Sequence, residues 1–282
     1  MTINRTTLTT TMDSPLHQIC AATAARLKQQ QQSLPLAQLW QQAMASPPPR
    51  DFLAALRPGR LTNPPTKPAV IAEMKRASPS AGVIRDPFDP VAIADGYHQA
   101  GAAALSILTE PDWFHGRASD IEQVRQANPL PILRKDFTLS PYHIAEARVM
   151  GADAILLIVA ILSESLLREC LDAASQLGLT ALVEVHDAEE LAIAQGVGAK
   201  LIGVNNRNLK TLKTDLNTAL TLIPRIPDEV TVVAESGLKH PQDLMACQQI
   251  GINNFLIGEH FMRQSDPGAA LSELLSAVAP CP

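Results

Sequence analysis

The chain has 282 residues, a formal net charge of −5 and a hydrophobic content of 46%. These values suit one large apolar core and are too apolar for a disordered chain. The lysines and arginines form no basic cluster, so nucleic acid is not an expected partner. Every apolar run is shorter than the roughly 18–20 residues that span a bilayer, so no membrane partner is expected either.

The first residues and the cysteines predict a cytoplasmic protein. Residues 1–14 are polar and lack the apolar stretch of a secretory signal, so we expect a flexible tail there. The cysteines form no CxxC pair and have no metal-ligand spacing, which is typical of free thiols in a reducing compartment. They are Cys20, Cys170, Cys247 and Cys281.

Two helices are predicted ahead of the first strand. Apolar residues recur at helical spacing over residues 15–32, and a second helix is predicted over 36–44. Three consecutive prolines at 47–49 then end the helical pattern, because proline cannot continue a helix. These segments predict an N-terminal helical extension over about residues 15–50.

Strand-like and helix-like segments alternate eight times after residue 68. The predicted strands begin near residues 70, 104, 132, 154, 180, 201, 230 and 254. The predicted helices cover 90–100, 118–127, 141–150, 163–177, 187–195, 215–223, 241–249 and 267–278. Such alternation predicts a parallel sheet in an α/β protein. Eight units predict a closed (β/α)8 (TIM) barrel, which forms one domain over residues 15–282 together with the N-terminal helices.

Charged and polar residues lie at the predicted carboxyl ends of five strands. The motifs are VIAEMK (70–75), PILRKDF (131–137), ALVEVH (181–186), LIGVNNRN (201–208) and VVAESG (232–237). A TIM barrel builds its active site at these ends of its strands. Lysines and glutamates that meet there indicate acid–base chemistry on an anionic substrate.

The lysines of the first two motifs are candidate acids. Glu73 and Lys75 are two residues apart and share one strand face, which predicts that both point into the barrel mouth. A structural ion pair is the alternative. Alternation sends only one of Arg134 and Lys135 inward, and we expect Lys135 there. Desolvation would lower the pKa of Lys135 and make it a better acid, whereas an exposed loop residue is the alternative.

The next two motifs supply a candidate base and candidate anion ligands. Glu184 follows three apolar residues, where a carboxylate is costly unless it is functional or structurally paired. We expect His186 to be a satisfied histidine in the following loop. Asn205 and Arg207 can hydrogen-bond carboxylate or phosphate groups. Asn206 and Asn208 are expected to form the turn, because asparagine tolerates left-handed backbone geometry. A solvated turn over the whole NNRN segment is the alternative.

Small residues after the last two strands predict a phosphate site. They occur in AESG (234–237) and IGEHF (257–261), at the positions where this fold binds phosphate. The backbone N–H groups of Gly237 and Gly258 can approach a phosphate closely because glycine has no Cβ. The predicted loop RASPSAG (76–82) can add hydroxyl and N–H groups. Plain turns are the alternative for both glycines.

The sequence holds no HxH or HExxH pair, no GxGxxG and no GxSxG. We therefore predict no metal and no cofactor. Three other interpretations stay open at this point: a phosphoribosyl isomerase, a Schiff-base aldolase and a non-catalytic sugar-phosphate binder.

Together the motifs resemble the indole-3-glycerol phosphate synthase family of tryptophan biosynthesis, in a bacterial, cyanobacterial-like form. IAEMKRASPSAG, LRKDF, LVEVH, IGVNNRNL, ESG and LIG occur in the family's order, over about residues 15–277. The resemblance implies conversion of 1-(2-carboxyphenylamino)-1-deoxyribulose 5-phosphate to indole-3-glycerol phosphate, with loss of carbon dioxide and water and without a cofactor. The implied partner is this small phosphorylated substrate. We expect a monomer, with an oligomer left open.

The resemblance also implies roles for the matched residues. Lys135 would protonate the substrate carbonyl during ring closure, and Glu184 would be the base of the later dehydration. The other implied catalytic residues are Glu73, Lys75, Asn205 and Ser236. The implied substrate-binding residues are Ser78, Phe137, Arg207, Glu235, Gly237, Leu256, Gly258 and Glu259.

His260 is the main departure from the family pattern, which often has a small polar residue at this position. A histidine beside the phosphate site could add a pH-sensitive contact. We expect His260 instead to point away into solvent.

Overall fold

The structure is a computed structural model that describes residues 14–56, 67–209 and 211–278. Eight parallel strands close into a barrel: Ala69–Met74 (β1), Ala104–Leu108 (β2), Ile132–Lys135 (β3), Ala154–Ile158 (β4), Thr180–Val185 (β5), Leu201–Asn205 (β6), Thr231–Glu235 (β7) and Asn254–Ile257 (β8). Strand β1 closes the barrel on β8, with Ala69 opposite Asn254. The predicted TIM barrel is confirmed, and each predicted strand start is correct to within one residue.

The helices confirm the predicted alternation. The N-terminal pair is Pro15–Ser33 (α1) and Leu36–Ala45 (α2). The helices that follow are Pro90–Gln99 (α3), Ala118–Ala127 (α4), Pro141–Met150 (α5), Glu164–Gln176 (α6), Ala188–Gly196 (α7), Asn217–Leu222 (α8), Pro241–Gln249 (α9), Glu259–Met262 (α10) and Pro267–Val278 (α11). The short α10 was not predicted. The predicted flexible tail lies, apart from Ser14, outside the described residues.

Side-chain caps and glycines set the ends of the helices. Asp89 and Asp187 accept hydrogen bonds from backbone N–H groups in the first turns of α3 and α7. Gly101 and Gly151 follow α3 and α5 with φ angles of 89° and 90°, in the left-handed region that glycine adopts without strain. The connections after α3 and α5 therefore reach the next strand within a few residues. None of the described helices is both long and apolar enough to cross a membrane.

The segment after α2 closes the amino-terminal end of the barrel. Phe52 and Leu56 are buried in the same apolar cluster as the interior strand residues. The Arg50 guanidinium donates to the carbonyl oxygen of Leu130 at 2.7 Å, and its backbone N–H donates to Asp153 Oδ1 at 2.6 Å. One end of the barrel is thus sealed, and the carboxyl ends of the strands remain open.

Candidate active site

The carboxyl ends of the strands surround a cavity of about 510 Å³, which is suitable for a small molecule. Every residue that the sequence assigned to catalysis or to substrate binding lines this cavity. These residues are Glu73, Lys75, Ser78, Lys135, Phe137, Glu184, Asn205, Arg207, Glu235, Ser236, Gly237, Leu256, Gly258 and Glu259. Their positions span more than 180 residues of sequence, and only closure of the barrel brings them together.

Lys135 lies in this cavity between two buried carboxylates. Its Nζ atom lies 3.0 Å from Glu184 Oε2 and 2.5 Å from Glu235 Oε2. Burial alone would lower the pKa of Lys135, but the charges of Glu184, Glu235 and Glu73 outweigh burial and raise this pKa above its usual value. The expectation of a lowered pKa is therefore wrong, because the lysine is desolvated together with its counter-ions.

The same ion cluster shifts the pKa values of its two carboxylates, Glu184 and Glu235, in opposite directions. Burial opposes ionisation of Glu184, yet Lys135 and His186 outweigh burial and lower the pKa of Glu184 below its usual range. Burial raises the pKa of Glu235 to about 7, and the negative charge of Glu184 adds to this rise. The charge of Lys135 acts in the opposite direction but does not cancel the rise, since Lys135 is shared with Glu184. Glu235 Oε1 makes no hydrogen bond with any described residue. Glu184 is thus held ionised, and Glu235 can hold a proton near neutral pH.

Alternation on β3 points Arg134 away from the cavity. Its Nη2 atom lies 2.8 Å from Glu146 Oε2 and 3.2 Å from Asp136 Oδ2, and the side chain is buried. The expectation that Lys135, and not Arg134, points inward is confirmed.

Glu73 and Lys75 form the ion pair that was considered as the alternative, and this pair lies in the cavity. Lys75 Nζ donates to Glu73 Oε1 at 2.7 Å. Ile71 belongs to the interior apolar cluster, so the predicted strand face is confirmed. Gly258 packs directly on Glu73, since a Cβ on Gly258 would lie 2.7 Å from Glu73 Cβ. The glycine after β8 therefore leaves room for a carboxylate of β1.

His186 follows β5, as expected, but it belongs to the ion cluster. Its Nε2 atom lies 3.2 Å from Glu184 Oε1, and its Nδ1 atom lies 2.9 Å from Glu190 Oε2. Burial would lower the pKa of His186, yet contacts with the two carboxylates raise it to about 10. Sequence reasoning missed this contact with Glu184, although the spacing of two residues, which places both side chains on one side of the chain, could have indicated it.

Arg207 extends across the mouth of the cavity. Its Nη1 atom donates to Ser80 Oγ at 3.0 Å, and its Nη2 atom lies 3.4 Å from Glu259 Oε2. Asn205 Oδ1 accepts the backbone N–H of Arg207 at 3.0 Å. These contacts join β6, the segment after β1 and α10, so the alternative of a solvated turn does not hold for this pair.

The segment after β1 is a short β-hairpin, whereas the sequence predicted a loop. Ala77–Ser78 pairs antiparallel with Gly82–Val83. Ser78 Oγ accepts the backbone N–H of Ala81 at 3.2 Å. The tight turn between the two short strands lets residues of weak strand propensity pair, which a propensity argument misses.

The turn after β7 is held in a defined conformation. Ser236 and Gly237 have φ angles of 65° and 77°, and a positive φ is uncommon for serine. Asn206 Nδ2 donates to the Ser236 carbonyl oxygen at 3.0 Å, and Asn206 Oδ1 accepts the backbone N–H of Ala219 at 2.9 Å. Asn206 is therefore a buried support of this turn, and the alternative of a solvated segment does not hold for it.

His260 lines the cavity together with His240 and Lys239. Burial, followed by the charges of His240 and Lys239, lowers the pKa of His260. His260 is half-buried at the edge of the cavity, because only Gly258 separates the end of β8 from the start of α10.

The N-terminal helix α1 contributes to the cavity wall through Pro15, Leu16 and Ile19. Arg26 anchors the same helix, since its Nη2 atom lies 3.0 Å from the buried Glu110 Oε1. Glu110 also accepts the backbone N–H of Phe114, whose side chain lines the cavity. The helix therefore shapes the site as well as covering the barrel, which the sequence did not predict.

The sequence matches a known protein family over most of its length. A model of the family described as indole-3-glycerol phosphate synthase matches residues 16–274. An indole-3-glycerol phosphate synthase of Acidithiobacillus ferrooxidans is 46% identical over 263 residues, which covers 93% of this chain and 99% of that protein. One from Chromobacterium violaceum is 46% identical over 270 residues, with coverage of 96% and 98%.

Solved structures with low sequence identity share the barrel. The 3-hexulose-6-phosphate synthase from Salmonella typhimurium has a TM-score of 0.60 and is 12% identical, covering 74% of this chain and 98% of that chain. Thiamine phosphate pyrophosphorylase from Pyrococcus furiosus has a TM-score of 0.57 and 16% identity, covering 76% and 96%. These likenesses concern the fold alone. The family match and the bacterial relatives show that this chain belongs to the indole-3-glycerol phosphate synthase family.

Proposed function

We propose that the cavity converts 1-(2-carboxyphenylamino)-1-deoxyribulose 5-phosphate to indole-3-glycerol phosphate, as a cytoplasmic carboxy-lyase of tryptophan biosynthesis. Family membership supports the reaction. One structural observation supports the assignment of roles: Lys135 lies between Glu184 and Glu235 in the cavity, and this places a cation and an anion within 3.0 Å of each other. Such a pair can supply an acid and a base to the same substrate.

Lys135 is the proposed acid of ring closure. In this step, the ring carbon that bears the carboxylate forms a bond with the C2 carbonyl carbon of the sugar chain. The carbonyl oxygen gains the electron pair and takes a proton. An alkoxide is far more basic than an amine, so the proton passes to it even though the pKa of Lys135 is raised.

Loss of carbon dioxide follows from the product of ring closure. The cyclised ring carries an iminium nitrogen, and this nitrogen accepts the electron pair of the bond to the carboxylate. The aromatic ring is restored as carbon dioxide leaves. The protein's task in this step is to hold the ring, and Phe137 is proposed to do so beside Phe114, whose ring centre is 6.2 Å away.

Glu184 is the proposed base of the dehydration. It accepts the proton from the carbon next to the ring nitrogen, while the hydroxyl formed on ring closure leaves as water with a proton from Lys75. The lowered pKa of Glu184 keeps this carboxylate ionised and ready for the step. The buried contacts of Lys135 and Glu184 restrict both side chains, which favours a defined reaction geometry.

The remaining residues of the cavity are proposed to bind and orient the substrate. Glu73 and Asn205 orient the reacting chain, and Arg207 holds the carboxylate of the anthranilate ring. Leu256 and Glu235 complete the cavity wall near the reacting atoms. The residues proposed around the phosphate are Ser78, Ser236, Gly237, Gly258 and Glu259.

The test is turnover of the proposed substrate by the purified full-length protein. We expect indole-3-glycerol phosphate and carbon dioxide in equal amounts. Turnover without carbon dioxide release would favour an isomerase, and a lysine adduct trapped by borohydride would favour an aldolase. Binding without any turnover would favour the sugar-phosphate binder. Each of these three results would contradict the proposal.

A further inference from the structure

His186 lies behind Glu184 in a chain of three side chains. The order is Glu184, His186 and Glu190, with ring nitrogens 3.2 Å and 2.9 Å from the respective carboxylate oxygens. The cavity is lined by Glu184, and His186 is not among the described residues that line it. Any effect of His186 on a bound substrate must therefore act through Glu184.

Glu190 is fixed where it meets His186. Its Oε2 atom accepts the backbone N–H of His186 at 2.8 Å as well as facing the ring nitrogen. Asp187 caps α7 by accepting the backbone N–H groups of Glu189 and Glu190, each at 2.9 Å. The start of α7 thus holds the outer carboxylate in a defined place relative to the imidazole ring.

The two contacts decide the charge of His186. An ionised carboxylate only accepts hydrogen bonds, so the 2.9 Å contact with Glu190 places a proton on Nδ1. Nε2 lies 3.2 Å from Glu184 Oε1 without hydrogen-bonding geometry, and the nearby negative charge favours a second proton there and hence an imidazolium cation. The charged groups that act on it are Glu184 and Glu190, which raise the pKa of His186 to about 10 despite burial. Its side chain is only 8% exposed, so solvent screens these charges weakly.

The imidazolium of His186 and the ammonium of Lys135 lie beside different oxygens of the Glu184 carboxylate. Lys135 contacts Glu184 Oε2, and His186 faces Glu184 Oε1. Once Lys135 has given its proton to the substrate, the cation beside Oε2 is lost, which alone would raise the pKa of Glu184. The imidazolium beside Oε1 remains, so Glu184 stays ionised for the next step.

We propose that His186, held by Glu190, is a positioning residue that orients the Glu184 carboxylate and keeps it ionised for the dehydration. This inference rests on the proposed function. It concerns residues outside the cavity, and it makes Glu190, which never meets the substrate, a determinant of the pH dependence of the reaction.

The test compares Glu190→Gln and His186→Gln with the wild type, and Glu189→Gln is the matched control. Glu189 is exposed, adjacent and equally charged. We expect kcat to fall by about tenfold or more in both test variants, with KM little changed, because a positioned base is disturbed while binding is not. The acidic limb of the kcat profile should move up by about one pH unit, because Glu184 loses a cation. Glu189→Gln should match the wild type.

A second measurement is independent of activity. The ¹⁵N shifts of the histidine rings at pH 8 should show one imidazolium in the wild type that becomes neutral in Glu190→Gln. A neutral ring in the wild type, or an acidic limb that does not move in folded Glu190→Gln, would overturn the inference. A wild type without turnover would instead overturn the proposed function, whatever the ring shifts show.

Discussion

Around Lys135, one ammonium group is shared by more carboxylates than it can neutralise. Glu184 and Glu235 both contact its Nζ atom, and the charge of Glu73 also acts on it. The cluster responds by keeping Lys135 and Glu184 charged and by raising the pKa of Glu235. Two carboxyl groups that contact the same ammonium are costly to ionise together, so a proton on Glu235 relieves their repulsion. The proposed acid and the proposed base thus belong to one cluster, together with a carboxyl group whose pKa lies near neutrality.

Lys135→Arg separates the charge of this side chain from its acidity. A guanidinium keeps the positive charge but does not give up a proton in proteins. We expect kcat to fall by about a hundredfold or more, the scale of a positioned acid. Steady-state kinetics measures the effect, with the exposed Lys200→Arg as the matched control. Turnover close to that of the wild type would remove Lys135 from the acid role.

Gly203→Ala tests the packing beneath the cluster. A Cβ at Gly203 would lie 2.1 Å from Glu235 Oε1, so the carboxylate must move away from Lys135. We expect a loss of about 1–3 kcal/mol in the free energy of unfolding together with a lower kcat. Gly196→Ala is the control, because nothing lies within 4 Å of a Cβ there. Unchanged kcat in Gly203→Ala would show that the Glu235 position is not critical.

The residues of the site could be predicted, but their charge states could not. Period-two alternation on β1 and β3 correctly points Glu73 and Lys135 inward. The pKa of Lys135 depends on Glu184 and Glu235, which lie 49 and 100 positions away in sequence. No local pattern contains that information. The same limit applies to His186, whose charge is decided by contacts that only the folded chain makes.

At the scale of elements, the strands and most helices follow from local patterns, and the exceptions all border the cavity. The hairpin after β1 and the four-residue α10 are too short to carry a periodic signal. The place of α1 over the barrel mouth depends on Arg26 reaching Glu110, 84 positions away. Short segments and distant contacts are therefore what sequence reasoning misses here.

Arg26→Ala tests the contribution of α1 to the site. The change removes the ion pair with Glu110, whose carboxylate also holds the segment that carries Phe114. We expect KM to rise by about two- to tenfold with kcat little changed, because one such contact contributes on the order of 0.5–1.5 kcal/mol. The exposed Lys28→Ala on the same helix is the control. Equal KM values in the two variants would limit α1 to covering the barrel.

At the scale of the whole molecule, the two ends of the barrel have different tasks. The amino-terminal end is closed by residues 46–56, and Asp153 lies at its centre. Its oxygens accept hydrogen bonds from Arg125, from the backbone N–H of Arg50 and from that of Ile132, at 2.5–2.8 Å. The open end carries the ion cluster. Stability and chemistry are thus separated along the barrel axis.

Asp153→Ala should therefore destabilise the fold without changing the chemistry. The change removes the ion-pair partner of Arg125 and the acceptor of the backbone N–H groups of Arg50 and Ile132, which costs about 3–5 kcal/mol of unfolding free energy in total. Urea unfolding measures this loss, and kcat of the folded fraction should stay within about twofold of the wild type. The exposed Asp172→Ala is the control. A large drop in kcat at full folding would show that the two ends are coupled.

The central claim is that Lys135 is the acid of ring closure and Glu184 is the base of the dehydration. Single-turnover kinetics of Glu184→Gln tests this claim most directly. Carbon dioxide release and indole formation are followed separately after mixing enzyme in excess with the carboxyphenylamino-deoxyribulose phosphate. The account predicts that carbon dioxide appears at close to the wild-type rate, while indole formation lags by about a hundredfold, because only the dehydration needs this base. Equal slowing of carbon dioxide release and indole formation, or no slowing of either, would contradict this account.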